Sequence, residues 1–199
     1  MKKKLILPEV IFEFQLDENI CTTLLEDVSK LEWTPNQHNF YSKNSLNKDP
    51  TYDFLHEWFH ECLQAVKNDL QMQCEELNVV LSWATKTENG QFHNSHTHRN
   101  SVVSGILYLQ DNMSHTWFSR AHMWGKGHNL SLFPNDETEM QHEEETSKGK
   151  LLIFPSMLPH RVSCNSDDDA RYTIAFNAFP SGQLGDYSCL NSLHLKKMT

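Results

Sequence analysis

An α+β fold, with helices packed on one side of a β-sandwich or jelly roll, is predicted by three features of this chain. Two segments of helical periodicity occupy its first part. From residue 77 the apolar period changes from helical to two. After that point strand-like segments succeed one another with turn signals between them, and no further helical segment intervenes.

Val10-Ile11-Phe12-Glu13-Phe14-Gln15-Leu16 reads as a first strand. Asp17 is a helix cap, and Ile20, Leu24, Leu25, Val28 and Leu31 recur at helical spacing, so a short amphipathic helix spans about 18–31. Residues 33–48, with Trp33, Pro35 and several Asn, read as a loop; one of this length is able to lie over the barrel mouth, but its residues show only turn chemistry. Asp49-Pro50 pairs a capping carboxylate with a proline at the first helical position. Leu55, Trp58, Phe59, Cys62, Leu63, Val66 and Leu70 then keep one apolar face to about residue 73.

Val79, Leu81 and Trp83 alternate with Val80, Ser82 and Ala84 in the next strand, and Asn89-Gly90 marks a tight turn. Strands are then expected over 102–109, 116–124, 150–155, 160–163 and 171–179, with 128–148 a polar loop holding at most one short strand. The tail after Pro180-Ser181-Gly182 is polar with scattered leucines and has no assigned element.

At 199 residues the chain is expected to be one domain, 1–199, with a helical part at about 17–75 and a barrel at about 77–180. A formal net charge of −9 argues against a polynucleotide partner, which needs clustered Lys and Arg. Glu143-Glu144-Glu145 and Asp167-Asp168-Asp169 read as solvated surface runs. Cys21, Cys62, Cys74, Cys164 and Cys189 are odd in number and lack CxxC spacing, which points to reduced thiols in an intracellular protein. The apolar run after Met1-Lys2-Lys3-Lys4 is too short for a signal core, and no segment reaches the roughly 20 apolar residues of a membrane span. The expectation is a cytoplasmic protein. Oligomeric state is left open, since no exposed edge strand that would pair two copies is legible.

The chemistry centres on Asn94-Ser95-His96-Thr97-His98, directly ahead of the strand Val102 to Leu109. Residues two apart in an extended chain point the same way, so His96 and His98 converge on one point. Without a bulge, Ser104 and Tyr108 would share that face. His160, in Leu158-Pro159-His160, offers a third imidazole. Three neutral imidazoles suit Fe, Zn, Cu or Ni and leave positions open for water and substrate. The plainer reading is that one HxH pair means little in a chain with 12 histidines. Arg171, Thr173, Ala175 and Asn177 share one face of the last long strand. A guanidinium with a hydroxyl two residues along suits a carboxylate. The plainer reading is a surface arginine paired with one of Asp167 to Asp169. His56 and His60 stand four apart on the second helix, but no third ligand lies near them in sequence.

Taken together, Ser82-Trp83, Asn94-Ser95-His96-Thr97-His98, Ser104-Gly105-Ile106-Leu107-Tyr108-Leu109, Gly149 to Ser156, Pro159-His160 and Arg171 to Asn177 resemble the 2-oxoglutarate/Fe(II)-dependent oxygenases of the phage and marine-bacterial type. The resemblance covers about residues 80–180. It implies a double-stranded β-helix (jelly-roll, cupin-like) with the N-terminal helices packed on one sheet. It also implies Fe(II), 2-oxoglutarate as co-substrate, and O2. His96 and His160 match the two iron-binding histidines, and His98 stands where the family has a carboxylate. Arg171 matches the arginine that holds the far carboxylate of 2-oxoglutarate, Thr173 its hydroxyl partner, and Tyr108 a strand position from which a phenol reaches the cosubstrate. The substitution at His98 leaves the metal site more cationic and leaves His93 and Asp111 as other candidates for the third ligand.

The implied activity is a hydroxylase that couples decarboxylation of 2-oxoglutarate to oxidation of a small molecule or a peptide or protein side chain. Two alternatives stand beside it. One is a three-histidine cupin-like metalloenzyme without 2-oxoglutarate, which gives Arg171 and Thr173 no purpose. The other is a non-catalytic barrel that binds an acid.

Overall fold

Two antiparallel sheets form a double-stranded β-helix, the jelly-roll, cupin-like architecture, and two helices pack on the larger sheet. The computed structural model describes residues 9–111, 114–119, 141–186, 188 and 190–196. The larger sheet runs in the order β1 (Phe12–Gln15), β9 (Lys150–Pro155), β6 (Val103–Tyr108), β11 (Arg171–Leu184), β4 (Glu76–Thr87), β3 (Phe40–Ser42) and β2 (Trp33–Pro35). The smaller one runs β5 (His93–His96), β10 (His160–Val162), β7 (Thr116–Ser119) and β8 (Gln141–Glu144).

Helix α1 (Glu18–Ser29) starts where the Asp17 carboxylate accepts the backbone N–H groups of Asn19 and Ile20, and it buries Cys21, Leu24 and Val28. Before α2 (Asp53–Asp69), Pro50–Tyr52 form a 3-10 turn capped by Asp49, which accepts from Thr51 N. The second helix buries Leu55, Phe59, Cys62, Leu63 and Val66. It stops short of the expected residue 73 because Gln71 takes a left-handed φ of 51°. Met72 N–H then reaches Lys67 O at 3.0 Å and Gln71 N–H reaches Asn68 O at 3.2 Å, a Schellman closure built without glycine.

Side-chain alternation in the large sheet separates two cores. Leu151, Ile153, Leu107, Ile174, Phe176 and Ala178 face the helices. Leu152, Phe154 and Tyr108 face inward and pack with Phe118 and Leu158. This double burial explains why β9 is apolar throughout rather than alternating. On β11 the odd-numbered residues Arg171, Thr173 and Ala175 fall on the inner face. Gly105 permits a close contact in the sheet: a Cβ there would lie 2.3 Å from the Phe176 ring, which packs on Phe59 of α2.

Several expected segments differ in extent. Residues 33–48 form a β2–β3 hairpin and a 3-10 turn over Leu46–Lys48, not an unstructured loop, and β3 is pinned to β4. The last long strand continues past 179 to Leu184, and β12 (Leu193–Leu195) pairs with its end, giving the unassigned tail an element. Residues 120–124 of the expected strand and 128–140 of the expected loop lie outside the described residues. Strand β8 accounts for the one short strand near the loop's end. Among the described residues no helix is long and apolar enough to cross a membrane.

Candidate active site

The three histidines singled out by spacing come together at the mouth of the barrel. His160 lies opposite His96 in the β10–β5 ladder. His98 lies beyond the end of β5 and is held by its backbone N–H, which donates to Ser156 O at 2.9 Å. One metal-capable nitrogen from each of His96, His98 and His160 lies within 4.8 Å of the others. His98 Nε2 and His160 Nε2 face each other at 3.2 Å.

The convergence does not come from one continuous strand. After His96 the chain leaves the small sheet, passes Asn100 at φ 55°, and enters the large sheet at Val103. Ser104 and Tyr108 therefore belong to the sheet opposite His96, which corrects the expectation of one shared strand face. Ser104 is buried, with its Oγ 2.9 Å from Ser156 Oγ and donating to Asn177 Oδ1 at 2.8 Å.

The backbone fixes two of the rings. His96 Nδ1 donates to Asn94 O at 2.8 Å and His160 Nδ1 donates to Leu158 O at 2.9 Å, in each case the carbonyl two residues back. A carbonyl only accepts, so Nδ1 carries the proton and Nε2 of the neutral ring presents a lone pair. Burial and mutual repulsion keep the rings neutral: the pKa of His98 falls to about 4 and that of His160 to about 3, and His96 is lowered by burial. Neutral imidazoles with oriented Nε2 atoms are what a divalent metal requires.

Arg171 opens β11 and is 2% exposed, so it is not a surface arginine. Among the described residues its buried Nε and Nη2 have no hydrogen-bond partner. Asp167, Asp168 and Asp169 are exposed, and among the described residues none forms an ion pair with it. The guanidinium carbon stands 5.4 Å from the Tyr108 ring centroid. Burial pushes the Arg171 pKa down, which reflects how poorly the wall by itself accommodates the charge. Thr173 is buried with its Oγ1 2.5 Å from Thr85 Oγ1. The Tyr108 hydroxyl donates to Thr116 Oγ1 at 2.8 Å, so this side chain supports the guanidinium with its ring while its phenol is engaged elsewhere.

A cavity of about 390 Å³ opens onto the triad, lined by His93, His96, His98, Trp83 and Thr85 and, from the β2–β3 hairpin, by residues that include Asn36 and Tyr41. The hairpin segment thus lines the cavity beside the histidines. A larger groove of about 510 Å³ lies elsewhere, against Val80, Phe179 and Leu195, and carries no metal-ligating side chain. Of the other ligand candidates, Asp111 accepts the backbone N–H of Lys148 at 2.8 Å, and His93 stacks on His96 without joining the convergent three. His56 binds Ser82 Oγ at 2.7 Å, a helix-to-sheet contact.

Residues 81–177 match the family described as "Putative 2OG-Fe(II) oxygenase". The match, with the three-imidazole cluster, supports a non-haem 2OG/Fe(II)-dependent oxygenase. No curated protein matches the chain. Among solved structures it is similar to a Pseudomonas putida prolyl-4-hydroxylase, at TM-score 0.63 and 15% identity over 87% of this chain and 94% of that one. HygX from Streptomyces hygroscopicus, solved with nickel and 2-oxoglutarate bound, gives TM-score 0.64 and 11% identity over 86% and 83%. The non-heme alpha ketoglutarate dependent epimerase SnoN from nogalamycin biosynthesis gives 0.65 and 12% over 89% and 82%. At these identities the likeness establishes the double-stranded β-helix, and the differing reactions of the relatives leave the reaction type to other arguments.

Proposed function

We propose that this chain is a 2-oxoglutarate- and Fe(II)-dependent hydroxylase, a single oxygenase domain of the phage and marine-bacterial type. The observation that carries the reading is Arg171: a buried guanidinium whose Nε and Nη2 lack partners among the described residues, in the wall of a barrel whose mouth holds three converging imidazoles. A buried cation of this kind calls for an anion, and a dicarboxylate that also reaches a metal supplies one. His96, His98 and His160 would hold the iron, and the first and last present lone pairs fixed by backbone carbonyls. Arg171 would take the far carboxylate of 2-oxoglutarate in a forked pair, with Thr173 adding a hydroxyl and Tyr108 keeping the guanidinium in place. Bound iron and 2-oxoglutarate together would supply O2 activation, in which 2-oxoglutarate loses CO2 and takes up one oxygen atom of O2 to become succinate while the other oxygen atom oxidises the substrate. The chain's part is to orient these groups, to offer neutral nitrogens, and to keep the inner wall dry.

The cavity receives the substrate, a small molecule or a peptide or protein side chain. Its lining gains little positive charge and the chain carries a net −9, which disfavours nucleic acid. The odd, scattered cysteines favour a reducing, cytoplasmic setting. One observation favours a second reading: the ligand set is all imidazole, as in cupin-like metalloenzymes that use no 2-oxoglutarate. Arg171 and Thr173 weigh against it.

Anaerobic titration of the protein with Fe(II), then 2-oxoglutarate, tests the proposal. A weak visible charge-transfer band that needs both, and 2-oxoglutarate-dependent succinate formation in air, are expected. Iron binding without the band would favour the cupin-like reading, and absence of iron binding would sink both. A substrate that gains one oxygen atom by mass spectrometry would separate hydroxylation from epimerisation or ring closure.

A further inference from the structure

A fourth imidazole shares the face of the triad, and an irregularity in β5 puts it there. Opposite the step from His160 to Val162 on β10, β5 runs from His96 to His93, one residue more. In a regular strand residues three apart point to opposite faces. The extra residue cancels that alternation and turns His93 back toward His96. The two rings stack with centroids 4.1 Å apart and planes inclined by 26°. Asn94 and Ser95, between them, are exposed.

His93 has no place among the convergent nitrogens, so the bulge does not serve metal binding directly. Among the described residues its ring makes no hydrogen bond, although it lines the cavity beside His96 and His98. Thr85, which lines the same cavity, meets Thr173 at 2.5 Å, and this ties the wall beside His93 to the strand that carries Arg171. An imidazole carries at least one ring N–H donor whether or not it is protonated.

We propose that His93 is a recognition residue for the cosubstrate, donating its ring N–H to a carboxylate oxygen of 2-oxoglutarate in the space served by His96, His98, His160 and Arg171. The inference rests on the Fe(II) and 2-oxoglutarate reading of the site. It assigns the bulge a purpose: aiming a ring N–H donor at an anion that Arg171 holds from the other sheet. Stacking on His96 is a separate, structural role that any flat ring would keep.

The test compares His93→Phe, which keeps the flat ring and removes the donor, with His93→Gln, which keeps an N–H donor. Fe(II) affinity and then 2-oxoglutarate affinity are measured anaerobically on each full-length protein, by the charge-transfer band and by thermal shift. In H93F the 2-oxoglutarate Kd should rise about 10-fold, the loss of one hydrogen bond to a charged group, with the Fe(II) Kd unchanged. H93Q should bring it back to within a few-fold of the parent. If H93F fails to fold, His93→Leu takes its place. Unchanged 2-oxoglutarate affinity in the donor-less variant would overturn the proposal, as would a loss of Fe(II) affinity equal to the loss for 2-oxoglutarate, since that would make His93 only a support for His96. A parent protein that shows no band would remove the underlying reading and this inference together.

Discussion

Arg171 is the residue where stability and function pull apart. Its burial with no partner for Nε and Nη2 among the described residues costs the ligand-free protein, and the same atoms are the proposed anchor for a carboxylate. Arg171→Met should therefore stabilise the ligand-free fold, by about 1–4 kcal/mol, and raise its melting temperature by several degrees. The same substitution should weaken 2-oxoglutarate binding by at least about 30-fold, as expected when one partner of a buried charged pair is removed. Differential scanning calorimetry and the anaerobic titration read the two effects separately. A destabilised, normally binding variant would show that the guanidinium is structural. The residue type and its spacing from His160 were legible in sequence. Its burial was not, because an arginine beside three aspartates reads equally well as a surface pair.

At the scale of elements, the helices and β9 were legible because their signals are local: an Asp cap, a Pro at the first turn, an uninterrupted apolar run. The β2–β3 hairpin was not, since residues 33–48 carry turn chemistry and their strand character comes from pairing with β4. The end of α2 was missed for a similar reason. Its Schellman closure places Gln71 in a left-handed conformation where glycine is the usual signal. Gln71→Gly should remove that strain and stabilise the protein by about 1 kcal/mol. Urea unfolding followed by circular dichroism checks it, and a lower midpoint would show that the Gln71 side chain contributes more than its backbone costs.

For the whole molecule, the histidine cluster sets a pH dependence. His93 and His98 are held near 4 and His160 near 3, and His96 is also lowered. The unfolded chain binds protons at these positions near 6.5, while the fold refuses them until the pH is far lower. Stability from this source is thus complete above about pH 6.5 and is lost as pH falls toward 4, by an amount on the order of a few kcal/mol. The metal-free protein should show a falling denaturation midpoint between pH 7 and 4.5, and Fe(II), which binds the neutral rings, should oppose the fall near its upper end. A flat midpoint over that range would mean that the rings are solvated enough to titrate normally.

The amino-acid sequence alone determined the class of fold, the helix starts, most inner strands and the identity of the metal-capable histidines, because periodicity, caps and ligand chemistry are written into neighbouring residues. Tertiary structure decided the rest. The crossing from the small sheet to the large one separates His96 from Tyr108, the register bulge turns His93 toward the site, and burial strips Arg171 of its surface partners. Each depends on which strand lies opposite which, and that pairing is fixed by the packing of two sheets and two helices together rather than by any local run of residues.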